Sequence, residues 1–158
     1  MAIAKLSAGR SKDPNTQVGA CIASNTKRIL SCGYNGAPNG FDDDNIPWAR
    51  EGNPLETKYM YVCHAEANAI DNYRGDKKSL EGSTIYVDLF PCNECAKRII
   101  QNGITEVVYL SDKYATTDQT IAAKRIFDDC GVKYRQLAKE YQVEIDLSLK
   151  PDKTPHIN

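Results

Sequence analysis

Apolar positions along the chain fall into short runs that switch between helical and strand periods. Ile3 and Leu6 lie three apart among Ala2, Ala4 and Ala8, which predicts a helix over residues 1–9. No capping residue precedes that pattern, so a short N-terminal stretch is expected before Met1. Past a polar segment, residues 18–23 and 28–34 are apolar and flank Asn25-Thr26-Lys27, which predicts a hairpin. Residues 35–54 have no period, and Gly36, Pro38, Gly40, Asp42 to Asp44 and Pro47-Trp48 mark a long loop. A compact domain seldom keeps so long a loop without using it, although the aspartate run by itself reads as a solvated face.

A second helix is predicted from near Cys63 through Ile70 to about Tyr73, then a polar connection over residues 75–82 and a strand over 84–90. Pro91 fits the first position of the next helix, which passes Ile99 and Ile100 and meets Gly103 where a C-terminal cap belongs. Residues 106–110 read as a strand and 111–118 as a loop. Asp118 is placed to cap a helix through Ile121, Ile126 and Phe127 to Cys130, closed by Gly131. Residues 132–135 form a short strand, 143–147 another strand or a helix running into the tail, and 150–158 are polar. The order strand, strand, helix, strand, helix, strand, helix, strand predicts an α/β fold, a mixed sheet with helices on its faces.

At 158 residues the chain has the size of one domain, expected over residues 1–147 with a polar tail at 148–158. The formal charge of −1 offers no general attraction to a polyanion, so no long nucleic acid is expected as a partner; local cations can still hold one phosphate. Six cysteines without the spacing of a small disulfide scaffold suit a reducing compartment. No apolar run approaches ~20 residues and no signal peptide opens the chain, so no membrane association and a cytoplasmic location are expected.

The chemistry concentrates in Cys63-His64-Ala65-Glu66 and Pro91-Cys92-Asn93-Glu94-Cys95. His64, Cys92 and Cys95 are good zinc ligands, and three protein ligands leave a fourth tetrahedral position open. A closed structural site needs a second cysteine pair, which is missing. Cys63 adjoins His64 and cannot readily share its metal, while Cys21, Cys32 and Cys130 sit singly in apolar stretches and read as core thiols. His156 reads as a solvated tail residue. His64 and Glu66, two apart, share no helix face and can converge only at a helix mouth. Cys92 and Cys95 lie in the first turn of their helix, where the N-terminus favours thiolate. A carboxylate at Glu66 would then move protons, the arrangement of zinc-dependent base deaminases.

Further stretches make the resemblance more specific. Arg10-Ser11-Lys12-Asp13-Pro14, Gln17-Val18-Gly19-Ala20, Gly33-Tyr34-Asn35-Gly36, Thr57-Lys58-Tyr59, Leu89 to Lys97 and Ser111-Asp112-Lys113-Tyr114 resemble the deoxycytidylate deaminase family, in its eukaryotic branch, to about Leu147. The resemblance implies a three-layer cytidine deaminase-like fold, with a central five-stranded mixed sheet flanked by helices. It implies conversion of dCMP to dUMP and ammonia, feeding thymidylate synthesis, by a homohexamer activated by dCTP with Mg²⁺ and inhibited by dTTP. It places Zn²⁺ on His64, Cys92 and Cys95, with Glu66 as the proton shuttle. Ala65 and Leu89 would hold the base, and Asn35 the deoxyribose, although asparagine in a turn also suits turn chemistry. Arg10, Lys113 and Tyr114 are candidates for the 5′-phosphate or plain surface residues. Many phage and bacterial members hold a second zinc partly through the region matching residues 35–61. This sequence lacks those ligands, so one zinc per chain is expected. Gly36, Asn39, Gly40 and Arg50 of that loop are the candidates for the effector site.

Overall fold

The computed structural model describes residues 1–137. Gly19–Ala23 (β1) and Ile29–Tyr34 (β2) form the expected hairpin, with Gly19 opposite Tyr34 and Ala20 opposite Gly33. Thr84–Leu89 (β3) pairs antiparallel with the other side of β1, placing Val87 opposite Ala20. Glu106–Ser111 (β4) and Lys133–Gln136 (β5) continue the sheet in parallel, giving the order β2-β1-β3-β4-β5. Parallel neighbours need crossovers, and two helices supply them, Asn93–Gln101 (α3 in the numbering below) and Asp118–Cys130 (α4). Ala2–Ala8 (α1) and Ala65–Asn72 (α2) complete the fold. The architecture is the mixed five-stranded α/β sheet read from the sequence.

Two glycines set where α1 and α2 lie. A Cβ on Gly19 would stand 1.8 Å from the Ala4 carbonyl oxygen, and one on Gly33 would stand 2.3 Å from the Ala69 amide nitrogen. Both helices therefore touch the sheet backbone to backbone. Residues directly opposite share a face and successive residues alternate. Gly19 and Gly33 thus point to opposite sides, so α1 covers one face of the hairpin and α2 the other. On the α2 side, Ile22, Ile85, Val87 and Val107 pack with Ala69, Ile99 and Phe127, all fully buried. Burying one such side chain stabilises by roughly 1.5–3 kcal/mol before the opposing chain entropy is counted.

Several boundaries differ from the sequence reading. α2 starts at Ala65 with His64 as its N-cap, while Cys63 pairs with Gly36 in an isolated β-bridge. α3 starts at Asn93 with Cys92 as N-cap, so Pro91 lies before the helix rather than in its first position. Thr117, not Asp118, caps α4, because its hydroxyl accepts from the Thr120 amide. The connection after α2 contains a 3-10 turn, Lys77–Leu80, that buries Leu80. Cys21 is buried and Cys32 half-buried, but Cys130, at the last turn of α4, is exposed and is no core thiol.

The long segment after β2 is tied down by three 3-10 turns, Asp43–Asn45, Pro54–Glu56 and Lys58–Met60. Its aspartate run has local partners. Asp42 accepts from the Asp44 amide, Asp43 accepts from the Ala37 amide, and Lys12 lies 3.4 Å from Asp43. Among the described residues, no helix is long and apolar enough to cross a membrane. The expected element at 143–147, the boundary at 147, the polar tail and His156 lie outside the described residues.

Candidate active site

α2 and α3 direct their N-termini at one place. His64 and Cys92 are the two N-caps, and neither side chain caps its own helix. Both are therefore free to turn toward each other. Cys92 Sγ lies 3.4 Å from His64 Nδ1, and Cys95 Sγ lies 3.5 Å from the same nitrogen. The three donor atoms are all within 4.8 Å of one another, with His64 exposed to the cavity, Cys92 half-buried and Cys95 buried. Zn–N bonds of about 2.0–2.1 Å and Zn–S bonds of about 2.3 Å on a tetrahedron separate N and S by about 3.5 Å. The donor set fits that ion in both chemistry and spacing. Among the described residues, it is the one group of three such side chains able to hold a metal.

With only protons to share, these groups polarise strongly. The Cys95 thiol and the His64 ring hold Cys92 down at about 4 despite its burial. The Cys92 contact raises His64 to about 9. Cys95 is pushed up by Cys92 and by burial, so only one of the two thiols gains the thiolate character expected of a helix N-terminus. A cation between them would replace the protons they share and favour thiolate at both.

Glu66 occupies the second position of α2 and is almost wholly withdrawn from solvent. Burial pushes its carboxyl above the ordinary range, while the charge of His64 pulls the other way. The helix mouth thus brings His64 and Glu66 onto one cavity of about 510 Å³, within the range of small-molecule sites. Ala65 and Leu89 form its apolar walls, and Asn35 and Cys92 also line it. Asn35 is heavily committed. Its amide nitrogen donates to Asp13 and to the Thr16 carbonyl, and its oxygen accepts from the Val18 amide.

The cationic candidates separate in space. Arg50, read from the sequence as an effector residue, lines this same cavity with Tyr59 and Tyr114, and its Nε donates to the Tyr59 hydroxyl at 3.3 Å. Lys113 lies outside the lining, with its ammonium 4.9 Å from the centre of the Tyr114 ring. Burial pushes the Tyr114 hydroxyl up, but Lys113 and Arg50 together hold it below the usual phenol range. Arg10 lies away from the cavity, stacked 5.8 Å over the Tyr34 ring. Gly36 is buried in its bridge to Cys63, and Asn39 and Gly40 form an exposed turn. None of those three lines the cavity.

Sequence reasoning missed Lys58, Tyr59, Thr16, Thr117, Gln119 and Thr120 as cavity residues. Lys58 and Tyr59 lie in an aperiodic segment, and the α4 residues reach the site only through the crossover from β4. The signal available for Lys58 and Tyr59 was their place in Thr57-Lys58-Tyr59, one of the stretches that carry the resemblance.

The family described as the cytidine and deoxycytidylate deaminase zinc-binding region matches residues 1–111. The deoxycytidylate deaminase of Mus musculus is 50% identical over 160 residues, covering 98% of this chain and 89% of that protein. That of Pongo abelii is 56% identical over 137 residues, covering 86% and 76%. The crystal structure of dCMP deaminase from the cyanophage S-TIM5 in complex with dCMP and dUMP superimposes with a TM-score of 0.66 at 25% identity, over 86% of this chain and 92% of that one. With the two sequence motifs meeting at one cavity, these matches show that the chain belongs to the cytidine and deoxycytidylate deaminase family.

Proposed function

We propose that this deaminase hydrolyses dCMP to dUMP and ammonia. One observation carries the reading: a single cavity is lined by His64 and Cys92 of the three-donor set, by buried Glu66, and by Arg50 and Tyr114. His64, Cys92 and Cys95 would hold a zinc ion, which when bound would lower the pKa of a water from 15.7 toward about 7. Ala65 and Leu89 flank the base, and Glu66 handles the protons. It takes one proton from water and delivers it to N3 of the cytosine, then moves the second to the departing amine. C4 gains a bond to oxygen and loses its bond to nitrogen, so one water is consumed and one ammonia leaves. A carboxyl raised by burial holds a proton more readily than an ordinary carboxylate, which suits a group that must take one up and pass it on.

Asn35 receives the deoxyribose in this reading. The 5′-phosphate meets Arg50 and Tyr114, with Lys113 behind the ring; Arg10, over Tyr34, is left to the surface. Cations and hydroxyls arranged for a phosphate are left without partners by an unphosphorylated nucleoside. Ammonia release from dCMP should therefore far exceed that from deoxycytidine or from a cytosine-containing oligonucleotide. Arg50→Ala should lower kcat/KM for dCMP by about ten- to a hundredfold, and more than it lowers the residual nucleoside reaction. Equal rates on dCMP and deoxycytidine would move the chain to the nucleoside branch of the family.

The same reading extends to regulation: activation by dCTP with Mg²⁺, inhibition by dTTP, a homohexamer, and a cytoplasmic supply of dUMP for thymidylate. Its support is the resemblance to deoxycytidylate deaminases over most of the chain. Gly36, Asn39 and Gly40 stay the candidates for the effector, whereas Arg50 is assigned to the substrate. Coupling of about 1–3 kcal/mol would shift dCMP affinity by roughly 5–150-fold. Saturation curves for dCMP with and without dCTP and Mg²⁺ test this, and a hyperbola unmoved by either nucleotide would remove it.

A further inference from the structure

Asp13 lies in the loop between α1 and β1, almost wholly buried, and every acceptor position it offers is taken. Its Oδ1 accepts from the backbone amides of Asn15 at 2.8 Å and Thr16 at 3.2 Å. Its Oδ2 accepts from Asn35 Nδ2 at 3.2 Å and from the ammonium of Lys58. Lys58 comes from the 3-10 turn after the long segment, and its side chain is only 10% exposed. Two charges removed from water need each other, because breaking one half of a buried pair leaves the other uncompensated. No step in the deamination uses either group.

Their common neighbour shows what the pair does. The Val18 amide fixes which end of the Asn35 side chain is oxygen, since an N–H can bond only to the acceptor. Asn35 Nδ2 then gives one hydrogen to the Thr16 carbonyl and the other to Asp13. Both donors are consumed, and what Asn35 has left for the cavity is a lone pair on Oδ1. A sugar hydroxyl can donate to that lone pair. Burial alone would raise the Asp13 carboxyl, whereas the bond from Lys58, the two backbone amides and the Lys58 charge bring it below the usual value. Ionised, Asp13 accepts at both oxygens; protonated, it would present a hydrogen toward Asn35.

We propose that the buried Asp13–Lys58 ion pair is a positioning device that holds Asn35 as a hydrogen-bond acceptor toward the cavity and so sets the preference for a substrate bearing a 3′-hydroxyl. The proposal rests on the reading that Asn35 meets the deoxyribose. The decisive quantity is the ratio of kcat/KM for dCMP to that for 2′,3′-dideoxycytidine 5′-monophosphate, which a general loss of folded enzyme does not change. For the unaltered protein it should be on the order of ten- to a hundredfold.

Asp13→Asn is the sharpest variant. An asparagine there can keep an oxygen for the Asn15 and Thr16 amides while placing an NH₂ where Oδ2 stood. That group would face two donors, Asn35 Nδ2 and the Lys58 ammonium. Lys58→Met is the second variant, keeping the apolar stem and removing only the charge. In each, the ratio should fall to within about threefold of one, through a rise in KM for dCMP that the dideoxy substrate does not share. Thermal unfolding and zinc content would be measured on both, and whichever retains the fold decides. A ratio kept in the folded variant but lost in Asn35→Ala overturns the positioning role and leaves the sugar contact standing. A ratio near one in the unaltered protein overturns the sugar contact and the proposal together. Absence of any dCMP turnover would instead remove the proposed substrate.

Discussion

Glu66→Gln is expected to lower kcat by on the order of 10²–10⁴ while dCMP binding stays within a few fold. Glutamine keeps the length and polarity of the side chain but has no proton to exchange. The site around it is built to handle that exchange: Glu66 is 5% exposed, and its carboxyl is raised chiefly by burial with His64 opposing. Removing the titratable group should therefore strike the chemical step and leave the apolar walls and cavity rim intact. Single-turnover kinetics alongside equilibrium binding of dCMP separates the two. A loss smaller than about tenfold in the chemical step would rule out Glu66 as the shuttle.

Cys92→Ser should abolish metal retention and turnover together. Serine is close in size, but its hydroxyl does not ionise near neutral pH and gives a harder, weaker ligand than thiolate. Cys92 is the thiol held down to about 4 by its two neighbours, so it is the donor already poised as an anion. Of the two thiols it is also the more exposed, at the cap of α3, where substitution threatens the core least. Zinc content by elemental analysis, with circular dichroism as the fold control, checks this. A folded Cys92→Ser protein that keeps stoichiometric zinc and full activity would refute the assignment.

The sequence carried the His64, Cys92 and Cys95 set and the neighbouring Glu66 because their chemistry is tied to residue type and to local spacing. His64 and Glu66 had to meet at a helix mouth, and α2 begins where that argument needs it. The mixed sheet also followed from the alternation of strands and helices, with α3 and α4 making the crossovers of its parallel half. What was hidden depends on distant chain segments. Nothing near Arg50 announces that Tyr59 and Tyr114 will gather around it at the cavity that His64 and Glu66 line. Asp13 reads as turn chemistry beside Pro14, yet its partners include Asn35 and Lys58, far along the chain. The cap positions went astray by single residues, because Thr117 and Asp118 are both good caps and only the hydroxyl's bond to Thr120 decides between them.

The tight seat of α2 on Gly33 also ties the spacing of the metal donors to strand register. His64 is attached to the sheet through β2, whereas Cys92 follows directly from β3, and β1 stands between those two strands. The native spacing of the donors therefore depends on β1 pairing with β3 in the alignment that sets Ala20 against Val87. A slip of one residue there would turn the helix-bearing side of the hairpin away from α3 and carry His64 to the wrong side of the sheet. Stoichiometric zinc retention by the folded protein would thus report correct strand register as well as the presence of the three ligands.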